Sequence, residues 1–205
     1  MSTLRTITNF KSKLAGGGAR PNLFEVELAA MPAYVSGYEN EEQERFAFLC
    51  KTAALPASNI APIEIPFRGR TLKVAGDRTF DVWTVTIIND EDFRLRSAFE
   101  LWMNGISKLN NATGATAPGS YMVDARVHQL GRGAGTLNST TNADVTGGTS
   151  ITPLRTYKFV DIFPTNISQI DLSYDASDTI EEYTVEFQVQ HWEAESTGSA
   201  PAIAW

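Results

Sequence analysis

The 205-residue chain has one cysteine, two histidines and no apolar run approaching the ~20 residues of a membrane-spanning helix. Insertion of the chain into a membrane is therefore not expected. A lone Cys50 excludes an internal disulfide, and within "FAFLCKTAAL" it is expected to be a small buried apolar group rather than a reactive thiol. With so little His and Cys, and no HExxH or CxxC spacing, a transition-metal site is excluded. His128 and His191 fall on strand-like stretches and read as ordinary strand side chains, not catalytic bases. "GRGAG" lacks the Lys-Ser or Lys-Thr of a phosphate loop, and the carboxylates of "NDED" are accounted for by a helix start without a divalent cation. The N-terminal "MSTLRTITNFKSKLAGGG" shows no apolar block with a small-residue cleavage site, so residence in a cytosol is expected and the sequons "NNAT", "LNST" and "TNIS" carry no weight. No enzyme, metal or cofactor is expected.

Positive charge is also scarce, 17 Lys and Arg against 24 Asp and Glu, and it is unevenly placed. Residues 1–24 hold Arg5, Lys11, Lys13 and Arg20 with no acid, whereas residues 153–205 hold nine acids against Arg155 and Lys158. Four dispersed cations make a weak footprint for nucleic-acid phosphates. Docking of a basic arm on an acidic surface of a neighbouring copy suits the asymmetry better. The expected organisation is an arm at 1–20, a Gly-rich hinge, and one domain at 21–205 with a long Gly/Thr loop at about 131–152.

What the chain has in quantity is alternation. In "TIEEYTVEFQVQHW" (179–192), Tyr183, Val185, Phe187 and Val189 point one way, and Glu182, Thr184, Glu186, Gln188 and Gln190 the other. "NLFEVELA" sends Phe24, Val26 and Leu28 inward and Glu25 and Glu27 outward; "YMVDARVHQL" sets Tyr121, Val123, Ala125 and Val127 against Asp124, Arg126 and His128. "MPAYVSGYENEEQER" reads as a loop and "FAFLCKTAAL" as a strand closed by Pro56. "ASNIAPIEIPFRGR" has two prolines that deny ladder donors, so it is expected to be an extended excursion ending in the turn Arg68–Gly69, not a central strand. "TLKVAG" and "RTFDVWTVTIIND" resume strand character, the latter apolar on both faces, and "LRTYKFVDIFP" and "NISQIDLSYD" supply further strands. One helix is expected in "NDEDFRLRSAFELWMNGI": capped by Asn89 or Asp90, with Leu95, Ala98, Phe99, Trp102 and Met103 as its apolar stripe, and ended by Asn104–Gly105. Seven or eight strands with one flanking helix define a mainly β protein, an antiparallel sandwich or barrel.

"FLCKTAALPASNIAPIEIPFRGRTLKVAGDRTFDVWTVTIINDEDFRLRSAFELWMNGI" and "YKFVDIFPTNISQIDLSYDASDTIEEYTVEFQVQHWE" resemble the tail tube protein of contractile-tailed bacteriophages. The matching features are Leu55–Pro56, the "FRGRTLKVAGDRTFDVWTVTI" block, the "ND" helix start, the "FPTNIS" turn and the "TVEFQVQHW" strand, together about half the chain. The resemblance implies a sandwich that assembles into homo-hexameric rings, stacked as a hollow tube in the virion tail. It further implies a sheath outside, baseplate and tail terminator proteins at the ends, and double-stranded DNA passing through without specific binding. Four strands from each of six subunits close an inner barrel roughly 45 to 50 Å across at ~4.8 Å spacing and ~40° tilt, which admits a duplex. A DNA conduit needs a polar or acidic wall, since Lys and Arg would hold the polyanion. Glu182, Thr184, Glu186, Gln188 and Gln190, with Glu25 and Glu27, are the candidate lining. Arg5, Lys11 and Lys13 of the arm and Arg68 and Arg70 of the excursion are the candidate contacts between subunits or rings. The type VI secretion tube, of related fold, and a monomeric ligand-binding sandwich are the alternatives.

Overall fold

The computed structural model describes residues 6–14, 18–28, 30–38, 40–131 and 153–195. Arg5, most of the Gly/Thr loop and the final ten residues lie outside them. Nine strands and three α-helices follow in the order α1 (Ile7–Lys13), β1 (Phe24–Glu27), α2 (Asn40–Leu49), β2 (Cys50–Ala53), β3 (Ser58–Phe67), β4 (Arg70–Phe80), β5 (Trp83–Ile88), α3 (Arg94–Ile106), β6 (Val123–Gln129), β7 (Arg155–Ile167), β8 (Glu182–Gln188) and β9 (His191–Glu195). Every pairing is antiparallel.

Two four-stranded sheets share one bent pair of strands. The first sheet runs β1–β6–β7–β9 and uses the N-terminal half of β7; the second runs β7–β8–β5–β2 and uses its C-terminal half. Phe163 faces Gln188 and Val160 faces His191, so β8 and β9 keep a single register along the same edge of β7. They are one strand bent at residues 189–190, which is why "TVEFQVQHW" reads as continuous. On β7 the bend falls at Asp161, held at φ +54°, with the β6 ladder slipping beside it. Such bulges let a strand change sheets at the corner of a sandwich. Asp124 on β6 accepts the Asp161 N–H at 3.2 Å and the Lys158 ammonium at 2.9 Å, fixing the corner from outside.

The inner faces meet over aromatic rings. Trp83 of the second sheet stacks on Phe159 of the first at 4.6 Å between centroids and tilts against Phe187 at 5.2 Å. Phe99 and Trp102 of α3 close on the same Phe187 ring at 5.8 and 6.0 Å. The first sheet and α3 therefore cover the same face of the second sheet. Leu95, Ala98, Phe99 and Trp102 are buried as the stripe predicts, and the Trp102 indole N–H donates to the Tyr121 carbonyl at 2.8 Å, so Trp102 is a packed core residue.

Four expectations are corrected. The helix starts at Arg94, not at "ND", with Phe93 as its cap at φ +52° and no side-chain cap; Asp90 and Asp92 instead bind the Arg45 guanidinium at 2.7 and 3.2 Å. It also runs past Asn104–Gly105 to Ile106. One helix was expected, but "NEEQERFAFL" forms α2, because Glu41 and Glu42 suit its positive end and Arg45 ties back to Glu41 at 2.9 Å. Its Phe46 packs on Phe99, so the strand reading of "FAFLCKTAAL" holds only from Cys50, whose thiol burial pushes up to about 12. Finally, "NISQIDLSYD" is not a strand beyond Ile167: residues 168–181 are a connection between β7 and β8.

Phe187 meets rings from both sheets and from α3, so Phe187→Ala is expected to cost ~3–5 kcal/mol, read as a lower midpoint in urea unfolding. Partial burial pushes the Asp124 pKa up, but hydrogen bonds from Lys158 and the Asp161 N–H outweigh it and hold the carboxyl below its usual range. Its stabilisation is present above the ordinary aspartate value near ~4 and is lost as pH falls through the lowered value. Asp124→Asn is thus expected to shallow the fall of stability with pH below ~4, measured by denaturation at a series of pH values.

Candidate assembly surfaces

The second sheet presents a bare face on the side away from α3 and the first sheet. Alternation places Glu182, Thr184, Glu186 and Gln188 of β8 there, opposite Ile88, Thr86 and Thr84 of β5, with Thr52 of β2 beside Thr86. Thr86 and Thr184 hydroxyls meet at 3.4 Å across the ladder. A cation on the edge of this face, Lys51, is held by Glu182 at 2.6 Å. The surface is a threonine-rich field with acids outnumbering bases. Gln190 departs from the expected set: it sits at the β8–β9 bend, exposed and outside the ladder, because the strand turns there.

Glu25 and Glu27 belong to the other sheet. They pair with His128 and Arg126 on β6, on the outward face of the first sheet, and so point away from the β8 set. That face is laced with opposite charges. Glu27 approaches His128 at 3.3 Å and Arg126 at 3.7 Å, Arg126 approaches Glu195 at 3.8 Å, and His128 meets the Thr156 hydroxyl at 2.9 Å. The two candidate linings thus occupy opposite sides of one sandwich.

The sheet edges are open in a particular way. β2 ends the second sheet on one side, and the C-terminal half of β7 ends it on the other, since β6 leaves β7 at Ile162. Among the described residues no further strand pairs with either edge, and an open edge invites pairing with another chain.

Among the described residues strands β3 and β4 pair only with each other, a separate hairpin that meets the body at its base, where Phe80 packs edge-on against Trp192 at 6.2 Å. Pro62 and Pro66 are tolerated because β3 has a free edge. Arg68 and Gly69 both take positive φ, +45° and +78°, as a two-residue hairpin turn requires. The register puts Ile63 opposite Val74, Ile65 opposite Leu72 and Phe67 opposite Arg70, all on one face; Glu64 and Lys73 pair on the other at 3.2 Å. That apolar face is open to solvent, with Phe67 at 67% and Leu72 at 60% exposure. Arg68 lies over the Phe67 ring at 5.5 Å, and Arg70 follows the turn, so both expected cations sit at the tip. Composition alone hid this amphipathic ribbon, because bulged pairing past Ile60 and interleaved prolines break its period. The arm is helical over Ile7–Lys13, with Lys11 and Lys13 in the last turn and Ile7, Phe10 and Leu14 exposed.

A shallow concavity of about 510 Å³ lies between α2 and α3 and is lined by Glu41, Glu42, Asp92 and Arg94, with Leu101 and small residues beside them. Glu42 is buried there and accepts from Arg94 at 2.9 Å. Among the described residues no group of three or more His, Cys, Asp or Glu is placed to hold a metal ion, and no helix is long and apolar enough to cross a membrane.

An antiparallel sandwich with open sheet edges, a bare neutral-to-acidic face and a projecting apolar hairpin has the surfaces of a structural subunit. Residues 19–195 match the family described as phage tail tube protein, and the chain belongs to that family. It is similar to the tail tube protein gp19 of Enterobacteria phage T4, with 32% identity over 179 residues that cover 87% of this chain and 93% of the relative. Its fold is shared by a chain of the anti-feeding prophage baseplate, with TM-score 0.57 at 12% identity over 87% of this chain and 95% of that one. A chain of the sheath–tube complex of an extracellular contractile injection system is also similar, with TM-score 0.51 at 14% identity over 95% and 99%. The protein is a structural component of a phage tail, not an enzyme.

Proposed function

We propose that six copies close into a ring by pairing the β2 edge of one second sheet with the β7 edge of the next. The bare threonine-rich face is then the wall of the bore. The observation that carries this is the coincidence of two open edges and one uncovered face on the same four-stranded sheet. Rings stack into a tube inside a contractile sheath, with baseplate and terminator proteins at its ends, and double-stranded DNA passes without being bound. Glu182, Thr184, Glu186 and Gln188 line the bore on this reading. Glu25 and Glu27, on the opposite face, do not. A wall with few cations, one of them already paired to Glu182, releases no counterions on contact with DNA and so does not hold it. Membership of the phage family favours this conduit over a secretion tube with protein cargo.

The hairpin, with Arg68 and Arg70, makes contacts between copies, and the arm, with Arg5, Lys11 and Lys13, adds to them. A lone two-stranded hairpin is marginal in water, and each half-exposed Ile, Leu or Phe on its apolar face gains on the order of 1 kcal/mol when covered. Ile65→Asp with Leu72→Asp should leave a folded subunit, unchanged by circular dichroism, that no longer forms tubes in negative-stain micrographs. Intact tubes would remove the hairpin from the assembly. Glu182→Lys with Glu186→Lys should allow tubes but slow genome ejection from virions in vitro; unaltered ejection kinetics would show that this face does not line the bore.

A further inference from the structure

The hairpin and the β7–β8 connection leave the second sheet at opposite ends, and their chemistry is complementary. β4 hands over to β5 at Trp83, which pairs with Phe187, so the hairpin departs from that end. The connection 168–181 enters β8 at Glu182, which pairs with Ile88 at the far end, and Asn89 N–H donates to the Glu181 carbonyl at 2.8 Å there. The hairpin tip carries Arg68 and Arg70 beside exposed Phe67 and Leu72, with Lys73 on the other face paired to Glu64. The connection carries Asp171, Asp175, Asp178 and Glu181 with no Lys or Arg, beside Leu172, Tyr174 and Ile180, each at least 72% exposed. Glu91 adds acid at the same end, where Asp90 and Asp92 are paired with Arg45.

Resting on the tube reading above, we infer that the hairpin of one copy seats on the 168–181 connection of a copy in the adjacent ring, cations against carboxylates and Phe67 with Leu72 against Leu172 and Tyr174. The occupant is a second copy of this chain because the two surfaces are opposite in charge and each leaves apolar side chains uncovered. The contact is axial because both features lie at strand ends, whereas pairing around a ring uses strand edges. A contact between two different patches does not close on itself, so it propagates as an open stack of one polarity.

A charge exchange tests this. The hairpin variant Arg68→Asp/Arg70→Glu and the connection variant Asp175→Arg/Asp178→Arg change only exposed side chains, and unaltered thermal melting checks that both fold. Each alone is expected to give single rings or short stacks by negative stain and sedimentation, while mixing the two variants is expected to restore stacks of alternating rings, because the acidic hairpin of one meets the basic connection of the other and the reverse. The quadruple variant, which restores complementarity between identical copies, is expected to recover tube length at least five-fold over either parent. If the hairpin variant stops stacking and the quadruple variant fails to recover it, the hairpin has another partner surface and this pairing is wrong, while the tube reading stands. Tubes of normal length from the connection variant would likewise overturn the pairing and leave 168–181 to another partner such as the sheath. Loss of rings in either variant would overturn its axial placement.

Discussion

The structure depends on the corner where β7 and the β8–β9 strand turn together from one sheet into the other. An antiparallel pair can bend only if both members bend at the same register, and the constant pairing of Phe163 with Gln188 and Val160 with His191 meets that condition. The bend folds the second sheet over the first, and Trp83 comes to lie flat on Phe159. Asp161 takes the strained positive φ that the turn demands, and Asp124 and Lys158 hold it from the outer side. Side-chain hydrogen bonds are modest individually, but here they fix a backbone position on which the whole inter-sheet contact rests.

Because the corner gives both sheets to a common core on one face only, each keeps an outer face, and the two outer faces are unlike. The first is a charge lattice in which Glu27, Arg126, His128 and Glu195 satisfy one another. Such pairs contribute little stability at a surface, yet they leave the face wet and uninviting to apolar partners. The second is hydroxyl-rich with few formal charges. A smooth, weakly acidic face flanked by two unpaired edges suits a wall that must join its neighbours at the edges and hold nothing on the surface between them.

Open edges, an apolar hairpin and an acidic, apolar connection are liabilities in a solitary protein and natural in a building block. Edges lie across the strands and the two projections lie at their ends, so the same sheet offers growth in two perpendicular directions. Charge adds polarity to the second of these. The uneven distribution visible in composition has a counterpart in the fold, since the segments that carry Arg68 and Arg70 and those that carry Asp175 and Asp178 leave the second sheet at opposite ends.

Much of this was legible from residues alone. Strict period-two alternation set the inward faces of β1, β6 and β8, because a half-buried strand has no freedom to place Val185 or Phe187 elsewhere. The spacing of Leu95, Ala98, Phe99 and Trp102 marked α3, and prolines marked 57–70 as an extended excursion outside the central sheet, which the structure shows as a hairpin. Local chemistry misled where tertiary contacts outvoted it. Asp90 looks like a helix cap until Arg45 from another helix claims it together with Asp92, and "FAFL" alternates like a strand until Phe46 is drawn onto Phe99. Which sheet each glutamate joins, where a continuous-looking strand bends, and that the basic hairpin and acidic connection leave the sheet at opposite ends were decided only by the tertiary structure. The physical reason is that periodicity records which side of its own strand a residue occupies, whereas the side of the molecule depends on long-range pairing between strands distant in the chain.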